Sequence, residues 1–223
     1  MIMNRFTLKI FLLIITLSTL SSAQEKIKII DKFSANSAKE KKIDGWEEKS
    51  FVGNTKYSIE KENSNFVLHA IADSAASGLY KKIKIDVKDW QYLNWRWKVL
   101  QLPKKGDVNS KETDDYGARV YVVFPKFIKW NTRTISYIWA KKLSKGESHP
   151  NPWLPRHVVM IAVESGSDNL GKWISEKRNV YEDYKRLFKE EPPKAGAIAI
   201  MSDSDNTGGK AEAYYDDFLI SKN

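Results

Sequence analysis

Short segments in which apolar and polar residues alternate with a period of two fill most of this sequence. Such alternation is typical of β-strands that bury one face, and glycine, proline, asparagine and aspartate residues separate one segment from the next. Helical spacing occurs only over 180–188. The predicted strands are 27–33, 46–51, 56–61, 66–71, 78–85, 92–100, 118–124, 135–140, 157–163, 173–179, 197–201 and 211–220.

Many short strands with one short helix near 180–188 predict an all-β chain that folds as an antiparallel β-sandwich, most simply a jelly roll. Apolar residues make up 42% of the 223 residues, which is enough for one well-buried core. No break in composition marks a second domain, so the stretches 103–113 and 149–155 are predicted to be long loops on one scaffold. The chain has no cysteine, so burial, with or without a metal ion, must hold the core together.

The N-terminal segment predicts export. Residues 1–23 carry two basic residues, an apolar run over 10–20 and small residues ending at Ala23, which is the organisation of a secretory signal peptide. The alternative is an uncleaved anchor, but the run is shorter than the roughly 20 apolar residues that cross a bilayer. Cleavage leaves 24–223 as a single β-sandwich domain that is periplasmic or secreted and does not span the membrane.

The chain is basic, with a formal charge of +9 that falls to +7 once Arg5 and Lys9 leave with the signal. A basic exported protein is suited to meet the phosphates of lipid or acidic polysaccharide, whereas nucleic acid is not an expected partner there. The lysines form short scattered clusters, which favours a solvated surface over a dedicated anion groove. The chain has seven arginines and 30 lysines, so the arginines after the signal are candidates for positions that need a planar guanidinium; they are Arg96, Arg119, Arg133, Arg156, Arg178 and Arg186.

Two groups of acidic and basic residues are the candidates for catalysis, since the motifs of common hydrolases, nucleotide enzymes and zinc proteases are missing. Asp114 and Asp115 open a strand and face opposite sides, so one of them is expected to face Arg119 or another arginine. Arg178 precedes Asp183 by five residues, and Asp183 is placed to return toward it. The simpler interpretation is a pair of structural ion pairs. Under an enzyme alternative, Asp115, Arg119, Arg178 and Asp183 converge as catalytic residues.

An oxygen-rich turn near the C-terminus raises the question of calcium. Its spacing copies the opening of an EF-hand loop, but Tyr214 stands where the closing glutamate belongs. A looser calcium site and a plain hairpin turn are both compatible with these residues. The predicted calcium ligands are Asp203, Asp205, Thr207, Asp216 and Asp217. Because Asp216 and Asp217 are neighbours on a strand, they are expected to face opposite sides, so one at most contributes.

Several segments of the sequence together resemble a known family. Residues 95–99, 114–124, Arg178-Asn179-Val180 with Asp183-Tyr184, Pro192-Pro193 and 198–208 together resemble exported bacterial proteins known only as domain of unknown function 3047. That resemblance implies export but no activity. The ending 213–220 is similar to the last strand of galactose-binding-like jelly rolls, including carbohydrate-binding modules in which an aspartate there holds a structural calcium. It implies a galactose-binding-like fold and glycan binding.

These observations predict an exported protein that binds a glycan or another cell-envelope component. Trp95 and Trp97 alternate with polar residues and are predicted to be core, whereas the loop residues Trp130 and Trp153 are predicted to stack on sugar rings, with Arg119 as a further ligand-binding residue. Lysine and arginine suit acidic sugars. The alternatives are a polysaccharide-cleaving enzyme, either hydrolase or lyase, and a protein-interaction module.

Overall fold

Two β-sheets carry the chain in a computed structural model, which describes residues 26–33, 43–128 and 131–222. In these ranges the strands are β1 (Ile27–Asp31), β2 (Glu47–Val52), β3 (Lys56–Glu62), β4 (Asn65–Asp73), β5 (Ala76–Ile85), β6 (Tyr92–Gln101), β7 (Ala118–Phe124), β8 (Arg133–Ala140), β9 (Ser148–Pro150), β10 (Val158–Ser165), β11 (Ile174–Asn179), β12 (Ala195–Asp203) and β13 (Lys210–Ser221). The helix α1 (Val180–Phe188) follows β11, and a short 3-10 helix covers Lys111–Thr113.

The strands form two sheets in a sandwich. The first sheet has the order β11-β6-β13-β4-β3, with β1 also paired to β13. The second has the order β2-β5-β12-β7-β8-β10-β9. The predicted β-sandwich is therefore confirmed. The prediction of antiparallel pairing is wrong at one place, because β10 runs parallel to β8. The chain reaches β10 through the long segment that contains the unpredicted short strand β9.

The core lies between the two sheets and is rich in aromatic rings. Trp95 and Trp97 are buried, as their alternation with polar residues predicts. The ring of Trp95 lies 5.3 Å from that of Tyr137, and the ring of Trp97 lies 5.9 Å from that of Trp139. Since β6 belongs to the first sheet and β8 to the second, these contacts join the two sheets without any disulfide.

A second, smaller core covers the outside of the second sheet. The segment between β6 and β7 folds over that surface and is buried against it at Val108 and Tyr116. At Gly106 an added Cβ would lie 2.5 Å from the carbonyl oxygen of Asp115, so the close approach of backbone to backbone requires glycine there. This packing holds the start of β7 in place.

The helix has the ends that its sequence indicates. The side chain of Asn179 accepts a hydrogen bond from the backbone N–H of Glu182, which caps the first turn. Lys189 ends the helix in the left-handed conformation. No helix in the described ranges is long and apolar enough to cross a membrane. The predicted signal peptide, residues 1–23, lies outside those ranges.

A buried carboxyl group lies at the edge of the sandwich. Glu176 of β11 faces inward and pairs in register with Trp95. Its Oε1 is buried and has no hydrogen-bond partner among the described residues. Burial, which outweighs the positive charge of Lys145, raises the pKa of Glu176 to about 7, and the charge of Glu164 adds to the rise. The folded protein therefore keeps this carboxyl protonated at a pH where the unfolded chain has released the proton.

This raised pKa predicts a decline in stability as the pH rises from about 4.5 to above 7. In that window the folded state binds more protons than the unfolded state, so the free energy of unfolding falls with pH. Glu176→Gln stays neutral and should flatten the decline, leaving the variant more stable than wild type at pH 8. Urea unfolding at several pH values measures how the free energy of unfolding changes with pH, and the exposed Glu182→Gln variant is the control. An unchanged slope in Glu176→Gln contradicts the prediction.

Candidate ligand-binding face

The surface of the first sheet that points away from the second sheet, here called the outer face, carries an unusual set of side chains. Residues of opposite parity on the same strands form the core, so the alternation predicted for β6 directs Arg96 and Lys98 outward. The sheet order then places four strands side by side. The outer-face residues are Glu60 and Glu62 of β3, His69 of β4, Arg96 and Lys98 of β6, Glu212, Tyr214, Asp216 and Asp217 of β13, and Trp173 just before β11.

Aromatic rings and cations form a continuous row across this face, here called the ring row, which consists of His69, Tyr214, Lys98 and Trp173. Tyr214 pairs in register with His69 on one side and with Lys98 on the other. The His69 ring stacks on Tyr214 with centroids 4.2 Å apart. The Lys98 Nζ lies 4.6 Å from the centroid of Tyr214 and 5.4 Å from that of Trp173, and the guanidinium of Arg96 lies 4.6 Å from the same Trp173 ring. Cation–π contacts of this kind fix the ring positions.

His69 is held between two carboxylates. Its Nε2 lies 2.8 Å from Oε1 of Glu212, and its Nδ1 lies 2.8 Å from Oε1 of Glu60. Partial burial raises the pKa of Glu60, but hydrogen bonds from His69, Ser58 and Tyr214 outweigh it and leave the pKa below its ordinary value. Burial and the charges of Glu60, Glu212 and Glu62 raise the pKa of Tyr214 to about 12. The phenol thus stays protonated beside ionised carboxylates.

Glu62 fixes the other end of the row. Its Oε2 accepts a hydrogen bond of 2.7 Å from Nε1 of Trp173, and its Oε1 forms an ion pair with Lys98. Partial burial raises the pKa of Glu62, but these two donors lower it further, so the net shift is downward. The indole of Trp173 is therefore held by a hydrogen bond at its edge and by cations over its ring. A ring held in this way is preorganised to bind a ligand.

Arg96 binds two neighbouring carboxylates on β13. Asp216 accepts from Nη2 of Arg96, and Oδ2 of Asp217 lies 2.8 Å from Nε. The prediction that Asp216 and Asp217 face opposite sides is wrong. The register shifts between Asp216 and Leu219, and Asp217 adopts φ 53, so a β-bulge turns both carboxylates toward the same guanidinium.

Around the ring row, acidic groups outnumber basic ones, although the protein is basic. Five carboxylates lie there, those of Glu60, Glu62, Glu212, Asp216 and Asp217, against the cations of Arg96 and Lys98 and the imidazole of His69, whereas the exposed Lys56, Lys177 and Lys210 point outward elsewhere on the same sheet. The whole chain carries a formal charge of +9. His69, Arg96 and Lys98 already contact carboxylates. Around the ring row the face therefore presents hydrogen-bond acceptors rather than free positive charge.

A separate buried cluster lies where the start of β7 meets the end of β12. The Nε of Arg119 donates a hydrogen bond of 2.8 Å to Oδ1 of Asp203, and its Nη2 bonds the other oxygen of Asp203 and the carbonyl of Asp114. The Nη1 of Arg119 lies 3.6 Å from Oδ2 of Asp114, so the predicted contact with one of the paired aspartates is confirmed. Burial, with the charges of Asp114 and Asp115, raises the pKa of Asp203 to about 8 against the effect of Arg119.

Asp115 organises the turn after β12. It accepts hydrogen bonds from the backbone N–H and the side chain of Asn206 at 3.2 and 3.0 Å, and from the backbone N–H and the hydroxyl of Thr207 at 2.6 Å each. Ligand oxygens of Asp115, Asp203 and Asp205 lie within 4.8 Å of one another. Both oxygens of Asp115 and of Asp203 already accept hydrogen bonds from protein donors. These hydrogen bonds alone are sufficient to explain the conformation of the turn.

The structure divides the predicted calcium ligands between two places. Asp203, Asp205 and Thr207 lie in and beside the turn after β12, whereas Asp216 and Asp217 lie on the outer face with Arg96. Calcium binding at the first group stays a prediction. The neighbour that the sequence did not indicate there is Asp115.

The four residues of the enzyme alternative are also divided. Asp115 and Arg119 belong to the buried cluster beside β7. The Nη2 of Arg178 donates a hydrogen bond of 2.8 Å to Oδ1 of Asp183, which also accepts one of 3.0 Å at Oδ2 from Tyr137 in the space between the sheets. Arg119 and Tyr137 point to opposite sides of the second sheet, since Tyr137 pairs with Val120 next to Arg119. The return of Asp183 to Arg178 is confirmed.

The predicted ligand-binding residues have different surroundings from those of the outer face. Arg119 is buried and its donors are taken. Trp153 is exposed, with Nζ of Lys111 4.9 Å from its ring centroid. Trp130 lies outside the described residues. The sequence did not indicate Trp173 or Tyr214 as ligand-binding residues. The order of strands in the sheet brings them together, and the alternation of apolar and polar residues does not predict that order.

A family model described as "Protein of unknown function (DUF3047)" matches residues 44–219. No curated protein matches the chain. Among solved structures, the chain is similar to the family 11 carbohydrate-binding module of a cellulosomal cellulase of Clostridium thermocellum, with 12% identity, a TM-score of 0.47 and coverage of 88% of this chain and 95% of that one. It is similar to a family 30 module of another such cellulase of that organism at 8% identity, TM-score 0.44, and coverage of 80% and 91%. The K1 cleaved adhesin domain of Lys-gingipain from Porphyromonas gingivalis gives 12% identity, TM-score 0.41, and coverage of 89% and 99%.

The buried Arg119 cluster makes a prediction about stability. Arg119→Met leaves buried Asp203 without its partner and should lower the free energy of unfolding by about 3–5 kcal/mol. Adding Asp203→Asn to that variant should restore part of the loss, because it removes the unpaired charge. Urea unfolding at pH 8.5, where an aspartate of the unfolded chain is ionised, measures both, with exposed Arg156→Met as the control. A double variant less stable than Arg119→Met contradicts the prediction.

Proposed function

This chain belongs to the DUF3047 family of proteins of unknown function, and we propose that it binds a glycan on the outer face of its first sheet. The observation that carries the proposal is the row formed by His69, Tyr214, Lys98 and Trp173, in which charged groups hold aromatic rings at fixed positions and the Tyr214 and Trp173 rings stay partly exposed. Sugar rings have apolar faces that pack on aromatic side chains, and hydroxyl groups that need polar partners at their rim. The outer face supplies both.

Trp173 is the proposed stacking residue. It stands at the edge of the sheet and is only partly buried. The guanidinium of Arg96 lies 4.6 Å and the Nζ of Lys98 lies 5.4 Å from its ring centroid, and Glu62 bonds its indole nitrogen. Because the indole is ordered before a ligand arrives, binding costs little further side-chain entropy.

The carboxylates around the ring row are the proposed partners for sugar hydroxyls. Glu60, Glu212 and Asp217 are partly exposed and each has a contact that orients it. An ionised carboxylate is a strong acceptor for a hydroxyl donor. The excess of acid over base around these rings favours a neutral or amine-bearing glycan over an acidic one, in contrast to the expectation from the overall charge of the chain.

The test compares two tryptophans. Wild-type protein should bind at least one neutral or amine-bearing oligosaccharide in a panel that also contains alginate and pectin fragments, measured by calorimetry with and without calcium. Trp173→Ala should weaken binding about tenfold or more, equivalent to about 1.4 kcal/mol. Trp153→Ala, which removes the stacking residue predicted from the sequence, should leave the affinity unchanged.

Melting temperatures of both variants separate loss of binding from loss of folding. A wild-type protein that binds no sugar in the panel, or a loss of affinity in Trp153→Ala with none in Trp173→Ala, rejects the outer face as the glycan site. Preferential binding of acidic fragments would reject the charge argument and leave the location standing.

We also propose that the chain is exported to the periplasm or out of the cell. The support is the organisation of residues 1–23, with basic residues, an apolar run and small residues ending at Ala23. N-terminal sequencing of the protein from the native host should find Gln24 first. A chain that still begins at Met1 in the membrane fraction would instead support an uncleaved anchor.

A further inference from the structure

Exposed apolar side chains gather at one end of the second sheet. Phe127 and Ile128 lie in the turn between β7 and β8, with exposed fractions of 106% and 54%. Trp153 and Leu154 lie between β9 and β10, both with an exposed fraction of 53%. These four residues are here called the apolar tip. Transfer of large exposed apolar groups out of water lowers the free energy of the system. A cluster of such groups therefore marks a surface for interaction.

The two segments of the apolar tip are fixed beside each other. Parallel pairing of β8 with β10 brings their first residues together, and the backbone N–H of Thr134 donates a 2.8 Å hydrogen bond to the carbonyl of His157. The guanidinium of Arg133 bonds the carbonyl of Arg156. Within the second segment, the N–H of His157 bonds the carbonyl of Leu154 at 2.9 Å. The apolar tip is thus a supported surface at the ends of packed strands.

Cationic side chains surround the apolar tip. Lys111 lies over the ring of Trp153, and Arg156 is exposed two residues beyond Leu154. Lys126 and Arg133 both contact Glu190. With Glu112, which is exposed beside Lys111, four cations therefore meet two carboxylates, which leaves the surroundings of the apolar tip positive.

We propose that the apolar tip docks on a lipid surface that contains anionic headgroups. Aromatic and aliphatic side chains of this size insert into the interfacial region of a bilayer, and nearby lysine and arginine bind lipid phosphates. The basic charge of the whole chain strengthens attraction to such a surface. The apolar tip lies at the end of the second sheet and shares no residue with the outer face of the first, so this inference is independent of the proposed glycan binding.

The experiment is co-sedimentation of residues 24–223, the chain left after the proposed cleavage, with vesicles, because the apolar run over 10–20 would itself bind lipid. Wild type should bind vesicles of phosphatidylglycerol and phosphatidylcholine about tenfold or more tightly than vesicles of phosphatidylcholine alone, with weaker binding at high salt. Phe127→Ser with Ile128→Ser should lower the partition coefficient at least tenfold. Phe51→Ser with Val52→Ser is the matched control, because this pair is also exposed, at 59% and 50%, but lies at the end of β2.

Arg156→Glu gives a second variant that tests the charge and does not depend on the apolar residues. It should weaken binding to anionic vesicles and reduce the salt dependence. The proposal is overturned if wild type does not sediment with anionic vesicles, or if the control pair loses as much binding as the Phe127 and Ile128 pair. Sedimentation velocity tests the alternative that a second copy of this chain binds the apolar tip. A wild-type dimer that the Phe127 and Ile128 variant abolishes would identify a second copy of this chain and overturn the lipid proposal.

Discussion

Strand β13 connects the core of this protein to its outer face. Its inward residue Tyr215 donates a hydrogen bond of 2.8 Å to the carbonyl of Met201 in the second sheet and lies 2.9 Å from the hydroxyl of Ser202. The preceding residue, Tyr214, points outward between His69 and Lys98. Because side chains alternate along a strand, a shift by one residue would move Tyr215 to solvent and Tyr214 into the core. The register that closes the sandwich therefore also builds the ring row.

Arginine, scarce in this chain, is used where two oxygens must be bound at once. Arg96 contacts Asp216 and Asp217, Arg119 bonds both oxygens of Asp203, and Arg178 bonds both oxygens of Asp183. A guanidinium offers parallel donors that an ammonium lacks, which agrees with the expectation drawn from the counts of lysine and arginine. The contacts of Arg96 and Arg119 join distant parts of a chain that has no disulfide, whereas Arg178 and Asp183 are five residues apart. These pairs also explain why the acidic residues singled out from the sequence are mostly structural.

The alternation of apolar and polar residues predicts the strands well but predicts the candidate site on the outer face poorly. Ala118–Phe124 and Val180–Phe188 have the predicted bounds, and Trp95 and Trp97 are buried as predicted. Alternation reports which residues share a face of one strand, but not which strands are neighbours, so the meeting of Trp173 with Tyr214 was not accessible from the sequence. The bulge at Asp217 was also missed, because a left-handed conformation at a non-glycine residue has no local signature.

The positions of the two proposed surfaces are related through the direction of the strands. The apolar tip lies where β8 and β10 begin, at the ends of strands in the second sheet. The outer face of the first sheet runs along its strands, and the two sheets of a sandwich keep their strands within about 30° of each other when they pack in the aligned manner. A lipid surface at the apolar tip would then meet the sandwich end-on and leave the outer face at a steep angle to the bilayer. In that arrangement Trp173 lies toward the end of the sandwich away from the lipid, because Ile174 pairs with Trp97, which packs on Trp139 near the far end of β8, and a glycan would reach Trp173 without being displaced by lipid.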